Sequence, residues 1–298
     1  VLERYDPYWG ELPALTEASF VFISDTATMT NALLAGDVDG TNNFAAEALP
    51  IFEGNPQFKV LVGTTEGEAI LSTNNAKAPF NELKVRQAMA HAINREAIIE
   101  GATYGYGVAI GSHFAPHNPY YVDLTQTYPY DPEKARALLA EAGYPDGFSA
   151  TLKLPPVNYA RVSGQILASQ FAEVGIKLEL INLEWAQWLE DVLTNKDFDL
   201  SIIAHVEPFD IGIYADPNYY FGYDNPQFQA LIEKLNATTD EAERKVLAIE
   251  AQTILANDAV NGYLFELAKT GVWNAKLEGM WPNSPIEGVV LRDIHWVD

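Results

Sequence analysis

The chain of 298 residues contains no cysteine, which excludes disulfides, thiolate metal sites and cysteine nucleophiles. Basic side chains are scarce: 18 Lys and Arg against 41 Asp and Glu leave a net charge of −23. Such a surface repels phosphate backbones and anionic membranes, so nucleic acid and lipid are poor partners. The bland consequence is solubility; the sharper one is attraction for cationic ligands. No apolar run is long enough to span a bilayer, and the first residues, from Val1 to Asp6, carry no cationic, apolar leader. Also missing are a G-x-S-x-G elbow, a P-loop, an H-E-x-x-H pair and a dinucleotide fingerprint. Gly105, Tyr106 and Gly107 lack the helix-opening context that a phosphate cradle needs. There is no internal repeat and no low-complexity tract.

What is present is a globular composition, 48% hydrophobic and 20% charged, in a chain large enough for one big domain or two. Residues 18–23 read as a buried strand, with Ser24 and Asp25 opening a helix that Gly36 closes. Residues 58–62 and 69–71 read as strands. Asn81 is the expected N-cap of a helix with Val85, Ala88, Met89, Ala92 and Ile93 on one face. Asn94 caps a second helix, which Gly101 is expected to end. Residues 113–130 carry Pro116, Pro119 and Pro129 and argue for an irregular loop. His113 and His117 lie in it, but a spacing of four places two rings together only on a helix. Asp131 and Pro132 open the clearest helix, and Gly143 terminates it. A strand at 149–154, a helix at 159–174 and a strand from Ile176 follow. Trp185, Trp188, Leu189 and Val192 share one face of a short helix. Residues 198–204 form a central-strand candidate. Asp240 and Glu243 make a capping-box pattern, and 263–273 and 289–296 close the chain as strands. The alternation implies an α/β lobe over roughly 71–277.

The most informative chemistry follows residues 198–204. His205, Glu207, Asp210, Tyr219 and Tyr220 fall at the carboxyl end of a strand, where open α/β sheets take ligands. Tyrosine offers an apolar face plus a hydroxyl at low entropy cost. Each residue also has a structural explanation: Asp210 as a cap, Glu207 and His205 as a mutual pair, and the upstream Trp185 as core packing. A metal at His205 needs ligands that spacing does not identify. Glu207, Asp210 and Asp216 could serve a glycosidase only at set carboxyl separations, which spacing does not fix either.

The order of motifs carries more than the pattern. Asn74 and Asn75, then Ala-Pro-Phe-Asn at 78–81, then Val-Arg-Gln-Ala-Met-Ala-His-Ala-Ile-Asn-Arg-Glu at 85–96, resemble the signature of the extracellular solute-binding proteins of the peptide/nickel type, family 5. The resemblance continues through residues 131–144 and through Phe198, Asp199 and Leu200. It implies a periplasmic-binding-protein-like α/β fold of the class II type: a partial first lobe at 1–70, a ligand-binding lobe at 71–277 and a return segment at 278–298. Residues 5–10 resemble a segment well inside full-length members, so an N-terminal portion is expected to precede them. The resemblance further implies an ABC-importer subunit, periplasmic or extracellular and monomeric. Such a subunit closes two lobes over a solute and delivers it to membrane permease subunits, with no cofactor, no metal and no catalysis. Peptide-binding members place an aromatic residue and then an aspartate after this strand to hold the ligand's ammonium group. Here His205 stands where tryptophan is usual, Glu207 or Asp210 supplies the carboxylate, and Trp185 matches a cavity-lining position. The departure at His205 favours a small amine-bearing solute, peptide-like or an amino-acid conjugate, over an ordinary peptide. A carbohydrate, a nickel complex or a carboxylate-dependent hydrolase are the alternatives.

Overall fold

A computed structural model describes residues 1–284 and 288–297. The chain divides into two compact units, residues 1–65 with 268–298, and residues 66–267. The first holds strands β1 (Leu2–Glu3) and β2 (Glu17–Ala18), helix α1 (Thr26–Ala35), strand β3 (Gly40–Thr41) and a 3-10 turn over Ala46–Ile51. Strand β4 (Phe58–Thr73) carries the chain into the second unit, a single run where the sequence suggests two. There follow α2 (Leu83–Ala92), α3 (Arg95–Thr103), β5 (Val108–Ala109), α4 (Pro132–Glu141), β6 (Phe148–Leu154), α5 (Asn158–Glu173), β7 (Ile176–Asn182), α6 (Trp185–Trp188), β8 (Leu200–His205), α7 (Pro226–Ala237) and α8 (Glu241–Asn257). Strand β9 (Gly262–Asn274) leads back to β10 (Leu277–Glu278) and β11 (His295–Trp296). Among the described residues no helix is long and apolar enough to cross a membrane.

In the second unit the sheet runs β9-β4-β8-β6-β7, with β5 on β9. β4 is antiparallel to β8, while β6 is parallel to both β7 and β8. Side chains alternate along β4, and this alternation divides the core. Ala69 and Leu71 join Leu200 and Ile202 under the helices α2 to α5. Ile70 faces the opposite core, built from α7, α8 and the aromatic residues Tyr214, Tyr220 and Phe221. Glu68 and Ser72 share Ile70's face, and Glu68 stands directly across from His205. The sheet is thus covered on both sides, and polar side chains at its end are enclosed.

Local signals explain most boundaries. Asp131 accepts from the Lys134 amide at 2.9 Å, Pro132 takes the first helical position, and Gly143 adopts φ 90°, a left-handed turn that a Cβ would strain. Asp131→Ala should cost about 1 kcal/mol, lowering the melting temperature by roughly 3 °C in a thermal melt. At α8 Asp240 accepts from Glu243 N, but the Glu243 side chain pairs with Lys234 at 3.0 Å instead of returning to the cap.

Four expectations are corrected. Residues 18–23 do not form a buried strand: pairing stops at Ala18, and Phe20, Val21 and Phe22 are exposed, Phe22 by 98%. Among the described residues no backbone partner continues the ladder there, and the run borders a cavity of about 510 Å³ in the first unit. Asn81 is not a cap, because its amide bonds back to Lys77 and the helix starts after Glu82. Gly101 does not end α3, which continues to Thr103; its missing Cβ makes room for Ile166 of α5, which would stand 2.6 Å away. Only His295 and Trp296 of the expected last strand are paired.

Candidate functional site

β8 delivers His205 to the carboxyl end of the sheet, and the chain then turns into a 3-10 helix at Asp210–Ala215. His205 is buried, and its Nε2 lies 3.1 Å from the Tyr220 hydroxyl, which in turn lies 2.8 Å from Ser72 Oγ. Its Nδ1 faces Asp210 Oδ2 at 3.5 Å. Burial, the largest influence on this ring, pushes its pKa below the usual imidazole value, so His205 is neutral at pH 7.

The second oxygen of Asp210 accepts from His113 Nε2 at 2.6 Å, while His113 Nδ1 sits 3.1 Å from the Tyr214 hydroxyl. Burial alone would raise the Asp210 carboxyl. The charge and hydrogen bond of His113, with a bond from His205, overcome that and hold it well below the usual carboxylate range. Asp210 is therefore an ionised carboxylate fixed from two sides. Glu207 is exposed beside it, and a ring nitrogen of His205 and one carboxylate oxygen each of Glu207 and Asp210 lie within 4.8 Å of one another. Tyr219 leans on the cluster half-buried, its ring 6.4 Å from that of His205. Burial, then the charges of Asp210 and Glu207, push its hydroxyl up to about 12, so it stays a neutral donor.

Of the six residues singled out in the sequence, the structure brings five together. Tyr220 lies behind His205, with its hydroxyl engaged by Ser72 and His205. Trp185 stands apart: it is 42% exposed and packs edge-on against Trp188, and among the described residues no ring stacking or hydrogen bond joins it to the cluster. A cavity of about 310 Å³ opens on one side of Asp210, lined by Phe114, Tyr120, Phe209, Ile213, Leu235 and Arg244. His205, Glu207, Tyr219 and Tyr220 do not line it.

Sequence reasoning missed the supporting groups. His113 is fully buried, and 97 positions separate it from Asp210. Glu68 is 1% exposed, and burial, then the charges of Asp210 and Glu66, push its carboxyl up to about 9. Backbone amides of Glu68 and Ala115 offset part of this, yet neither carboxyl oxygen makes a well-directed hydrogen bond. Nearby, His117 lies 2.8 Å from Glu66 and 3.6 Å from Glu266, both buried carboxylates. The available signal was two acids two residues apart in the middle of β4, just before its apolar run from Ala69 to Leu71.

The chain is 29% identical over 279 residues to heme-binding protein A of Haemophilus influenzae, covering 86% of this chain and 49% of that protein. It is 29% identical over 280 residues to the dipeptide-binding protein of Escherichia coli, covering 86% and 51%. It thus spans about half the length of these curated relatives. Among solved structures it superposes on the periplasmic binding protein DppA of Helicobacter pylori, in complex with the peptide STSA, with a TM-score of 0.84 at 22% identity over 99% of this chain and 60% of that one. That likeness establishes the fold of periplasmic peptide-binding proteins. Residues 1–228 match the pattern of one family over its middle region, and the chain belongs to it: the bacterial extracellular solute-binding proteins, family 5.

Proposed function

We propose that this chain is the substrate-binding component of an ABC importer, periplasmic or extracellular, monomeric and without catalysis. On this reading it captures a small amine-bearing solute, peptide-like or an amino-acid conjugate, and delivers it to membrane permease subunits. The observation that carries the reading is the ionised Asp210, held by His113 and flanked by Glu207 and His205. A primary ammonium has three N–H donors, and the carboxylates of Asp210 and Glu207 offer several acceptor lone pairs to them. Tyr219 adds an apolar face beside them. Family membership and the strongly acidic sequence support the same reading.

Calorimetry with an amine-bearing solute and its N-acetylated counterpart tests this. Asp210→Asn should weaken the amine at least tenfold, a loss of about 1.4 kcal/mol, and acetylation should do the same to the unaltered protein. Equal binding of the acetylated compound would exclude ammonium recognition. Native mass spectrometry should find the solute released unchanged, whereas a carboxylate-dependent hydrolase would convert it.

A further inference from the structure

We propose that the cavity walled by the 3-10 helix at Asp210–Ala215 and by helices α7 and α8 binds a small carboxylic acid with an aromatic or aliphatic body, its carboxylate held by Arg244 and Tyr120. This goes beyond ammonium recognition, because His205, Glu207, Tyr219 and Tyr220 do not line the cavity.

The walls set the body of the ligand. At about 310 Å³ the space is far larger than a packing defect and lies at the lower end of small-molecule pockets. Phe114, Ile213 and Leu235 give it apolar sides. Phe209 also lines it, with 60% of its surface exposed, and meets the Tyr120 ring edge-on at 5.7 Å between centroids. Exposed apolar surface beside a few polar groups is the kind that a small apolar body covers.

Arg244 sets the charge. Its Nη1 donates to the carbonyls of Leu235 at 3.1 Å and Thr238 at 3.0 Å, and its Nε donates to the Tyr120 hydroxyl at 3.3 Å. These bonds tie the start of α8 to the end of α7 and fix the plane of the guanidinium. They leave Nη2, with both its N–H groups, without an acceptor among the described residues. Tyr120 is used there as an acceptor, so its own hydroxyl proton remains to be given. Nη2 and Nε share one edge of the guanidinium, so Nη2 and the Tyr120 hydroxyl are two donors on the same side. A planar carboxylate fits such a pair.

No carboxylate forms an ion pair with Arg244 among the described residues, in a chain with 41 acidic residues against 18 basic ones. Asp210 lines the cavity from the opposite wall, but its oxygens are turned to His113 and His205. Its charge repels an anion toward Arg244. One guanidinium balances one negative charge, and apolar walls cannot solvate a second, which selects a carboxylate over a phosphate.

Ligand-observed NMR titrations with phenylpropionate and with hexanoate, at pH 7 and 0.15 M salt, test the site, with phenylpropionamide as the uncharged counterpart. At least one of the acids should bind saturably, and the amide should bind at least tenfold more weakly than phenylpropionate if that acid binds. Arg244→Gln should weaken the acid at least tenfold. That substitution also removes bonds between α7 and α8, so Gly212→Val provides a second variant. A Cβ at Gly212, which lines the cavity, meets only Ile232, at 3.8 Å, so valine fills space without touching Arg244. It should weaken the acid at least fivefold while the melting temperature is kept. No saturable binding of either acid up to about 10 mM, amide binding equal to that of the acid, or acid affinity unchanged in folded Gly212→Val would each overturn the proposal. Acid binding without amine-solute binding would leave this site standing and remove the proposed function.

Discussion

Glu68→Gln is expected to raise the melting temperature by about 10 °C at pH 8 and by about 2 °C or less at pH 5. Burial holds this carboxyl at about 9 in the folded protein, against an ordinary value of 4.5. Between those values the folded state binds the proton that the unfolded chain has released. Stability attributable to Glu68 is therefore complete below about pH 4.5, falls as pH rises, and is lowest above about pH 9. At pH 7 the penalty is of order 3 kcal/mol, from about 1.4 kcal/mol for each pH unit above the unfolded value. Glutamine keeps the shape and cannot ionise, so it removes the penalty and loses only what the protonated acid contributes. The neutral His205 adds a pH dependence of the opposite sign, because its folded pKa is lowered, but this is common to both proteins and cancels in their difference. Melting curves at half-unit steps from pH 5 to pH 8.5 check the prediction. Parallel curves for the two proteins would mean that Glu68 is ionised and compensated at neutral pH.

Much of the second unit was legible because its signals are local. Asp131, Pro132 and Gly143 define α4 through capping and backbone geometry, and neighbours do not overrule them. β8 was legible because a short run dominated by Leu200, Ile202, Ile203 and Ala204 has few alternatives to a buried strand. The failures come from contacts that no local pattern contains. Gly101 reads as a terminator, but it is an interior helical glycine chosen by the side chain of Ile166. Phe20 and Phe22 carry the composition of a buried strand without a partner to bury them. Trp185, Trp188, Leu189 and Val192 share a helical face, yet only Trp188 and Val192 are covered. At the site, the residues of one loop were visible together because they are adjacent in sequence. His113 and Glu68 were not, since only the register of β4 against β8 and the path of an irregular loop bring them to Asp210.

Asn75→Asp is expected to destabilise the protein by about 4 kcal/mol at pH 8, lowering the melting temperature by roughly 10 °C. This buried side chain donates from one amide group to three carbonyls, Thr73 at 3.0 Å, Phe221 at 3.1 Å and Val260 at 3.0 Å, and its backbone N–H also reaches Phe221 at 2.8 Å. It ties the end of β4 to the turn that carries Tyr219 and Tyr220 and to the approach to β9. Gly222 permits that approach: it adopts φ 59°, and a Cβ there would stand 2.9 Å from Ala76. Aspartate has nearly the same shape but replaces the donor with a second acceptor, so the Thr73 and Val260 carbonyls lose the side-chain donor, Phe221 keeps only the backbone N–H of residue 75, and a carboxylate faces them in a site with little water. Each lost bond is worth about 1 kcal/mol, and each buried group left unsatisfied costs about 1–3 kcal/mol more. The protonated acid can return one donor. Its folded pKa should therefore be raised, and the loss should be smallest near pH 4 and grow as pH rises. Urea unfolding at pH 5 and pH 8 measures both the size and the direction. A loss below about 1 kcal/mol at pH 8 would mean that the turn holding the tyrosines is kept in place by its aromatic packing alone. The asparagine would then matter to the family for another reason.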